Sequence, residues 1–227
     1  MQPYFFPYIG YFQLLKSVDK FIFYDDVNYI KGGWINRNRL FLAGAVRYMT
    51  IPLEDASSFK KINKISSKQD GKWKNKILSS IDQSYSNSAF YNPVRDLVEN
   101  ALDDSSGSLA VFAKRSIKLV ASYIGIDANF VESSAIYKNQ EKNGIDRIID
   151  ICHIEKASEY WNLPGGRDIY CSDVFKQENI DLKFVNASIE NYQQNSNEFI
   201  PGLSVIDVLM HNEPFKVLQL LDVGSQL

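Results

Sequence analysis

The sequence has few cysteines and histidines and no strong excess of either charge. Its 227 residues include two cysteines, two histidines, and 25 basic against 27 acidic side chains, which gives a formal net charge of −2. Two cysteines do not form a disulfide framework, and no CxxC motif or Cys/His cluster is present, so we predict no metal site. Nucleic-acid binders are usually strongly basic, so this charge balance excludes a dominant nucleic-acid partner.

Long apolar runs are also missing. Charged residues interrupt every apolar stretch well before about 18 residues, so the sequence predicts no membrane span. The apolar N-terminus has no basic region and contains Pro3 and Pro7, which argues against a signal peptide. The composition, 45% hydrophobic and 23% charged, is typical of globular proteins. We therefore expect a cytoplasmic protein.

Aromatic residues are plentiful and concentrated at the N-terminus. They make up 13% of the chain, and nine of them fall within the first 24 residues. The helical and strand-like spacing of Phe12, Phe21 and Phe23 predicts that these rings are core. The remaining rings of the opening segment are predicted to face a ligand crevice, and they are Tyr4, Phe5, Phe6, Tyr8 and Tyr11.

The pattern of hydrophobic residues predicts an α/β fold with a mostly parallel Rossmann-like sheet, a β-hairpin and a helical insertion. Residues 1–69 form the N-terminal βα/β-hairpin part of the α/β core, residues 70–125 the helical insertion, and residues 126–227 a βαβαβ part of the same core. Strands that alternate with helices favour parallel pairing with right-handed crossovers. We also expect a short strand over 62–65 and a helix over 72–85.

The first candidate site is the opening segment, residues 2–12. Pro3 and Pro7 fix a rigid loop, and Gly10 permits close backbone approach at the start of a helix. The N–H groups and positive dipole of a helix N-terminus suit a phosphate or carboxylate. The alternative is that the rings pack in the core. Candidate substrate-binding residues here are Gln2, Tyr8, Gly10 and Tyr11.

The second candidate site follows the predicted strand over 21–24, where an α/β sheet places its ligand crevice. Asp25 and Asp26 are candidate catalytic residues that act as general base, or else metal ligands, strand caps or ion-pair partners of nearby basic residues. Basic side chains suit phosphate, asparagines suit hydroxyls, and tryptophan suits stacking. The candidate substrate-binding residues are Lys31, Trp34, Asn36, Arg37, Asn38 and Arg39.

The third candidate site, residues 162–170, also lies directly after a predicted strand. Gly165 and Gly166 allow backbone N–H groups to face a ligand, Arg167 adds a cation, and Asn162 adds an amide. A tight turn alone would explain one glycine pair. Two glycine-containing loops after two strands of one sheet indicate a shared crevice.

Four segments closely resemble the WbqC-like family: MQPYFFPYIGYFQLL, DKFIFYDDVNYIKGGWINRNRL, WNLPGGRDIY and FIPGLSVIDVLM. The resemblance implies a bacterial protein of sugar-nucleotide or surface-glycan tailoring, because family members are encoded in clusters for O-antigen and other surface polysaccharides. It assigns no catalytic residue. It also implies a short apolar strand ahead of the Gln-Pro motif, and this sequence starts at Met1 without one.

A second, weaker likeness concerns residues 7–11. Followed by a helix and an apolar strand, they are similar in layout to the His-x-Gly-His loop of nucleotidylyltransferases. Pro7 or Tyr8 and Tyr11 stand where that loop has histidines. The usual phosphate donors are therefore missing, and adenylyl transfer is disfavoured.

Together these features predict a transferase that tailors a nucleotide-linked amino sugar by N-acylation. Lys31, Arg37 and Arg39 would hold the diphosphate, and Asp25 or Asp26 would deprotonate the amine. The alternatives are a non-catalytic scaffold partner of a neighbouring biosynthetic enzyme and a degenerate nucleotidylyltransferase-like nucleotide binder. No cofactor is assigned: the nucleotide-linked sugar is the expected substrate, and the acyl donor is left open. A homo-oligomer stays an alternative.

Overall fold

The computed structural model describes residues 1–187 and 190–222. Its helices are α1 (Ile9–Lys16), α2 (Lys72–Tyr85), α3 (Tyr91–Leu102), α4 (Leu109–Ile124), α5 (Gly144–Glu155), α6 (Ser172–Gln177), α7 (Val205–His211) and α8 (Pro214–Leu220). Its strands are β1 (Phe21–Ile22), β2 (Arg37–Leu42), β3 (Ala45–Thr50), β4 (Leu53–Glu54), β5 (Ser66–Ser67), β6 (Phe130–Val131), β7 (Glu159–Asn162) and β8 (Asp181–Phe184). None of the described helices is long and apolar enough to cross a bilayer.

The described strands form four two-stranded sheets. β1 pairs with β6 and β7 pairs with β8, both in parallel. β2 with β3, and β4 with β5, are antiparallel. The predicted α/β class and β-hairpin are therefore confirmed. The parallel strands do not join into the single Rossmann-like sheet that we predicted, because no strand is hydrogen-bonded between the two parallel pairs within the described ranges.

A groove runs between the two parallel pairs. Met1 occupies one end of it: its amine donates to the carbonyl of Ile22 at 2.8 Å, and its carbonyl accepts from the amide of Tyr24 at 2.9 Å. Beyond Met1 the groove is bordered by β1 and β7 and lined by side chains of α1 and α5. Met1 thus pairs with the β1 side of the groove.

The helices begin and end where sequence signals place them. The Asp70 carboxylate accepts from the amide of Lys72 at 3.2 Å and starts α2 at the predicted residue. Gly125, with φ of 81°, ends α4 in the left-handed conformation. The strand predicted over 62–65 is wrong, because this segment is a 3₁₀ turn over Ile62–Lys64. Its buried isoleucines are three residues apart, a spacing that suits this turn.

Two hydrophobic clusters hold the fold together. The larger combines α1, the hairpin, the three helices α2 to α4, and α7 and α8. The smaller surrounds Phe175 and joins α5 and α6 to β8 through Ile148, Cys152 and Ile180. Side chains from both clusters line the groove, so the groove marks the seam between them. The division into three domains is not tested by these packing relationships and stays a prediction.

Candidate functional site

The groove continues into an open cavity at the carboxyl ends of β1 and β7. Groove and cavity together have a volume of about 940 Å³, which is in the range of small-molecule sites. All three candidate loops line this end: the opening segment, the loop after β1 and the loop after β7. Ligands of α/β proteins bind outside the carboxyl ends of parallel strands, so the location fits a binding site.

We call the carboxyl end of this cavity the phenol mouth, because tyrosines dominate its lining. Its side chains are all uncharged, and its lining residues are Gln2, Tyr4, Tyr8, Tyr24, Ile30, Trp34, Tyr160, Asn162, Leu163, Gly165, Gly166, Ile169 and Tyr170. The charged lining residues come before β1 and β7 or begin β7, so they lie at the opposite end, and they are Asp19, Lys20, Glu155, Lys156 and Glu159. The mouth therefore offers hydroxyl and amide groups rather than charge.

The hydroxyl groups of the mouth differ in how they are held. Tyr160 accepts from the side-chain amide of Asn162 at 3.2 Å, and its ring packs edge-on against Tyr170 at 5.6 Å. The hydroxyls of Tyr4 and Tyr8 make no hydrogen bond to any described residue. Burial raises the pKa of both phenols, so both are neutral donors at physiological pH.

The other aromatic residues of the opening segment do not reach the mouth. Phe5, Phe6 and Tyr11 are fully buried, so their expected orientation toward the crevice is wrong. The Tyr11 hydroxyl donates to the carbonyl of Gln2 at 2.9 Å, and this hydrogen bond holds the opening segment against α1. Tyr11 thus supports the segment that carries Gln2, and its direct contact with substrate stays a prediction.

Gly10 leaves room for the ring of Tyr8. A Cβ atom at position 10 would lie 2.4 Å from that ring, a distance that requires the ring to move. We expect Gly10→Ala to lower the free energy of unfolding by about 1–3 kcal/mol through overpacking. Gly165→Ala is the matched control, because a Cβ there meets no atom within 4 Å. Denaturant unfolding of both variants measures the difference, and equal stabilities would contradict the role of Gly10.

The two asparagines of the second loop are buried and hydrogen-bonded within the protein. The Asn36 side chain accepts from the Tyr29 hydroxyl at 2.8 Å and donates to the carbonyl of Ile51 at 2.9 Å. The Asn38 side chain donates to the carbonyl of Phe6 at 2.8 Å. These bonds attach the loop and the opening segment to the hairpin. The predicted contact of both amides with substrate hydroxyls stays a prediction.

Two arginines and two aromatic rings form a surface that we call the cationic platform: Trp34, Arg37, Arg39 and Tyr48. The guanidinium of Arg37 lies 4.3 Å from the Tyr48 ring, that of Arg39 lies 5.6 Å from the Trp34 ring, and the two rings are 6.3 Å apart. In the described part of the chain neither arginine pairs with a carboxylate, so no acidic side chain offsets either charge. Because Trp34 also lines the mouth, the platform adjoins it.

The remaining candidates divide between the mouth and the surface. Asn162, Gly165 and Gly166 line the mouth as the loop geometry predicts. Lys31 is exposed, and the guanidinium of Arg167 packs over the ring of Phe184 at 5.2 Å. Neither of these cations lines the mouth, so their contact with a diphosphate stays a prediction.

Asp25 and Asp26 belong to a buried polar network beside the mouth. The Asp25 carboxylate accepts from Lys114 and from the Ser133 hydroxyl, both at 2.5 Å. The Asp26 carboxylate accepts from Arg147 at 2.6 Å, and it also accepts from Ser134 and Gln140. Ion pairing was one of the alternatives that the sequence left open. The partners, however, come from distant segments rather than from the neighbouring loop.

The surroundings of Asp26 make it a weak base. Burial alone would raise its pKa, but hydrogen bonds from Arg147, Ser134 and Gln140 outweigh burial and hold the pKa below its usual value. Neither Asp25 nor Asp26 lines the mouth. Their predicted role as general base stays a prediction that the geometry does not favour. Within the two described ranges, no group of three or more Asp, Glu, His or Cys side chains could hold a metal ion.

Comparison with known proteins gives the geometry a context. The sequence profile of the WbqC-like protein family matches residues 2–218. The chain belongs to the WbqC-like family. This WbqC-like chain is also 26% identical over 213 residues to the "Uncharacterized protein Rv1507c" of Mycobacterium tuberculosis (strain ATCC 25618 / H37Rv), an alignment that covers 93% of this chain and 91% of the relative. No solved structure matches it significantly. The resemblance seen in the sequence is thereby confirmed.

Proposed function

We propose that this WbqC-like protein binds a nucleotide-linked amino sugar at the phenol mouth and tailors it by N-acylation, in bacterial O-antigen or surface-glycan biosynthesis. One observation supports this most: three loops from separate parts of the chain line a single cavity at the carboxyl ends of parallel strands. The sugar-nucleotide class itself comes from the family resemblance.

The chemistry around the cavity suits such a ligand. A nucleotide-linked sugar carries uncharged hydroxyls, a negatively charged diphosphate and a flat base. The site offers phenol hydroxyls, two arginines that pair with no carboxylate among the described residues, and the partly exposed ring of Trp34. Arginine binds phosphate through two parallel hydrogen bonds, and aromatic rings stack on flat groups.

The reaction requires a nucleophilic amine and an activated acyl donor. The amine nitrogen attacks the acyl carbonyl and forms the C–N bond, the nitrogen loses a proton to a base, and the leaving group of the donor departs with the bonding electrons. Asp25 and Asp26 are the predicted bases. Because both accept hydrogen bonds from cations, either would first have to lose one of these partners.

The uncharged lining of the mouth favours a second candidate function, a non-catalytic partner of a neighbouring sugar-nucleotide enzyme. Such a protein needs affinity but no base at the ligand. None of the side chains that line the mouth is a carboxylate or an imidazole. The degenerate nucleotidylyltransferase reading has no comparable support, and it would require pyrophosphate release from ATP.

Titration calorimetry with dTDP-linked amino sugars tests binding, and mass spectrometry after addition of activated acyl donors tests transfer. We expect binding in the micromolar range and a mass increase equal to the acyl group. If Asp25 or Asp26 is the base, its replacement by asparagine abolishes transfer, provided that circular dichroism shows the variant folded. Binding without product from any donor supports the scaffold candidate. Absence of binding contradicts both candidates.

A further inference from the structure

We propose that the ligand lies across the site in one orientation, with its amino-sugar ring in the phenol mouth and its diphosphate on the cationic platform. This inference rests on the proposed function and assigns the two ends of the ligand to two surfaces. The first observation behind it is the separation of charge: the mouth has no charged side chain, and the two platform arginines lie outside it.

The mouth has no cationic side chain that could bind a diphosphate. Removing phosphate charges from water is unfavourable unless cations and hydrogen bonds replace the water, and the mouth supplies no cation. A sugar ring carries hydroxyls that both donate and accept hydrogen bonds. Phenol and amide groups match these hydroxyls, and aromatic rings pack against the apolar face of a sugar.

Tyr4 and Tyr8 are the side chains best placed to bind the sugar. Both line the mouth, and neither hydroxyl is hydrogen-bonded to a described residue. The Tyr160 hydroxyl, by contrast, already accepts from the side-chain amide of Asn162. Half-buried hydroxyls without protein partners are satisfied by solvent or by a ligand, and a sugar that displaces this solvent has to replace its hydrogen bonds.

The platform has the complementary chemistry. Arg37 and Arg39 have no carboxylate partner among the described residues and lie against two flat rings, of which Trp34 is 39% and Tyr48 51% exposed. Guanidinium groups bind phosphate oxygens, and the exposed rings offer a stacking surface for the base. Trp34 lines the mouth and belongs to the platform, so a ligand bound to both surfaces passes this ring.

The test compares a dTDP-linked amino sugar with dTDP alone, by titration calorimetry. We expect Tyr4→Phe and Tyr8→Phe each to weaken binding of the sugar nucleotide about 3- to 10-fold, since each loses one hydrogen bond, and to leave binding of dTDP unchanged. Arg37→Gln should weaken binding of both ligands about tenfold or more, because it removes a charged contact to phosphate. Tyr123→Phe is the matched control, because Tyr123 does not line the cavity.

The outcomes separate the orientation from the function. If Tyr4→Phe and Tyr8→Phe weaken dTDP as much as the sugar nucleotide, or if Arg37→Gln weakens neither ligand, the orientation is overturned while the proposed function stands. If the unaltered protein binds neither ligand, the proposed function fails and the orientation fails with it. Thermal midpoints of all variants exclude unfolding as the cause of a weaker affinity.

Discussion

Replacing Asp26 with alanine is expected to lower the free energy of unfolding by about 3–5 kcal/mol. The Asp26 carboxylate and the Arg147 guanidinium form an ion pair in which the side chains are 7% and 4% exposed. Alanine would leave the arginine buried without its carboxylate, and desolvation of an unpaired charge is costly. Urea denaturation at neutral pH measures the loss.

Two further variants test this explanation. Adding Arg147→Met to Asp26→Ala removes the unpaired cation, so the double variant should be more stable than Asp26→Ala alone. Glu99→Ala breaks an exposed pair between Glu99 and Arg95 one helical turn apart, and we expect it to cost about 0.5 kcal/mol or less. If Asp26→Ala costs no more than Glu99→Ala, the buried pair does not stabilise the fold.

The same pair makes stability depend on pH. The pKa of Asp26 is lower in the folded state than in the unfolded chain, where it is about 3.9. The unfolded state therefore binds the proton more tightly, and the contribution is present above the unfolded pKa and lost as the pH falls through the folded pKa. When the pH is lowered from neutral to about 3, the free energy of unfolding should consequently fall less for Asp26→Asn than for the unaltered protein.

The helices could be predicted from the sequence because their signals are local. The Asp70 carboxylate accepts from the first amide of α2, and Gly125 ends α4, so periodicity between these residues was sufficient. The partners of the two aspartates could not be predicted in this way. Lys114 and Arg147 lie 89 and 121 residues from the carboxylates that they bind. Only the tertiary fold brings these groups together.

The candidate site was predicted in its location but not in the orientation of its rings. Parallel strands place their following loops at one edge, so a shared crevice for the loops over residues 25–39 and 162–170 was accessible from the sequence. The backbone conformation of Phe6 shows why the orientation of the rings could not be predicted. Its φ of 42° lies in the left-handed region, which is unusual for a side chain of this size. Its amide donates to Ser116 at 3.0 Å and its carbonyl accepts from Ser204 at 2.8 Å, contacts that hold this conformation.

Joining an extended apolar segment of five residues to Met1 is expected to raise the thermal midpoint by about 5–10 °C. Burial of such side chains contributes about 1.5–3 kcal/mol each, and ordering costs about 1.5 kcal/mol per residue. The net gain is a few kcal/mol, and each kcal/mol shifts the midpoint of a chain of this size by about 2–4 °C. The segment would lie in the groove as a strand between β1 and β7.

The two borders of the groove both have backbone groups for such a strand. The amide of Phe21 donates to the carbonyl of Asn129 just before β6, and that of Phe23 donates to Val131 in β6. Peptide groups alternate in direction along a strand, so those of Ile22 face the groove. On the opposite border the carbonyl of Ser158 accepts from Asp181 in β8, and that of Asn162 accepts from Val185 just after it. By the same alternation the peptide groups of Trp161 face the groove. A parallel strand that continues backward from Met1 would pair with both borders.

The amine of Met1 is buried at the end of the groove. It is hydrogen-bonded as a strand amide would be, and burial lowers its pKa to about 5. Apolar side chains of α1 and α5 wall the groove, among them Leu14, Val18 and Ile151. A strand covered on both faces requires apolar residues at nearly every position, which is why a Val/Ile sequence is the appropriate segment.

A Gly-Ser extension of equal length is the matched control, because it also replaces the buried amine with an amide but has almost no apolar surface. Calorimetric scanning of both proteins measures the midpoints, and hydrogen exchange should show added protection at Ile22 and Trp161 only with the Val/Ile segment. An equal rise with both extensions would assign the effect to the amine alone. A larger rise with the Val/Ile segment would show that a strand placed between β1 and β7 joins the two parallel pairs into one sheet.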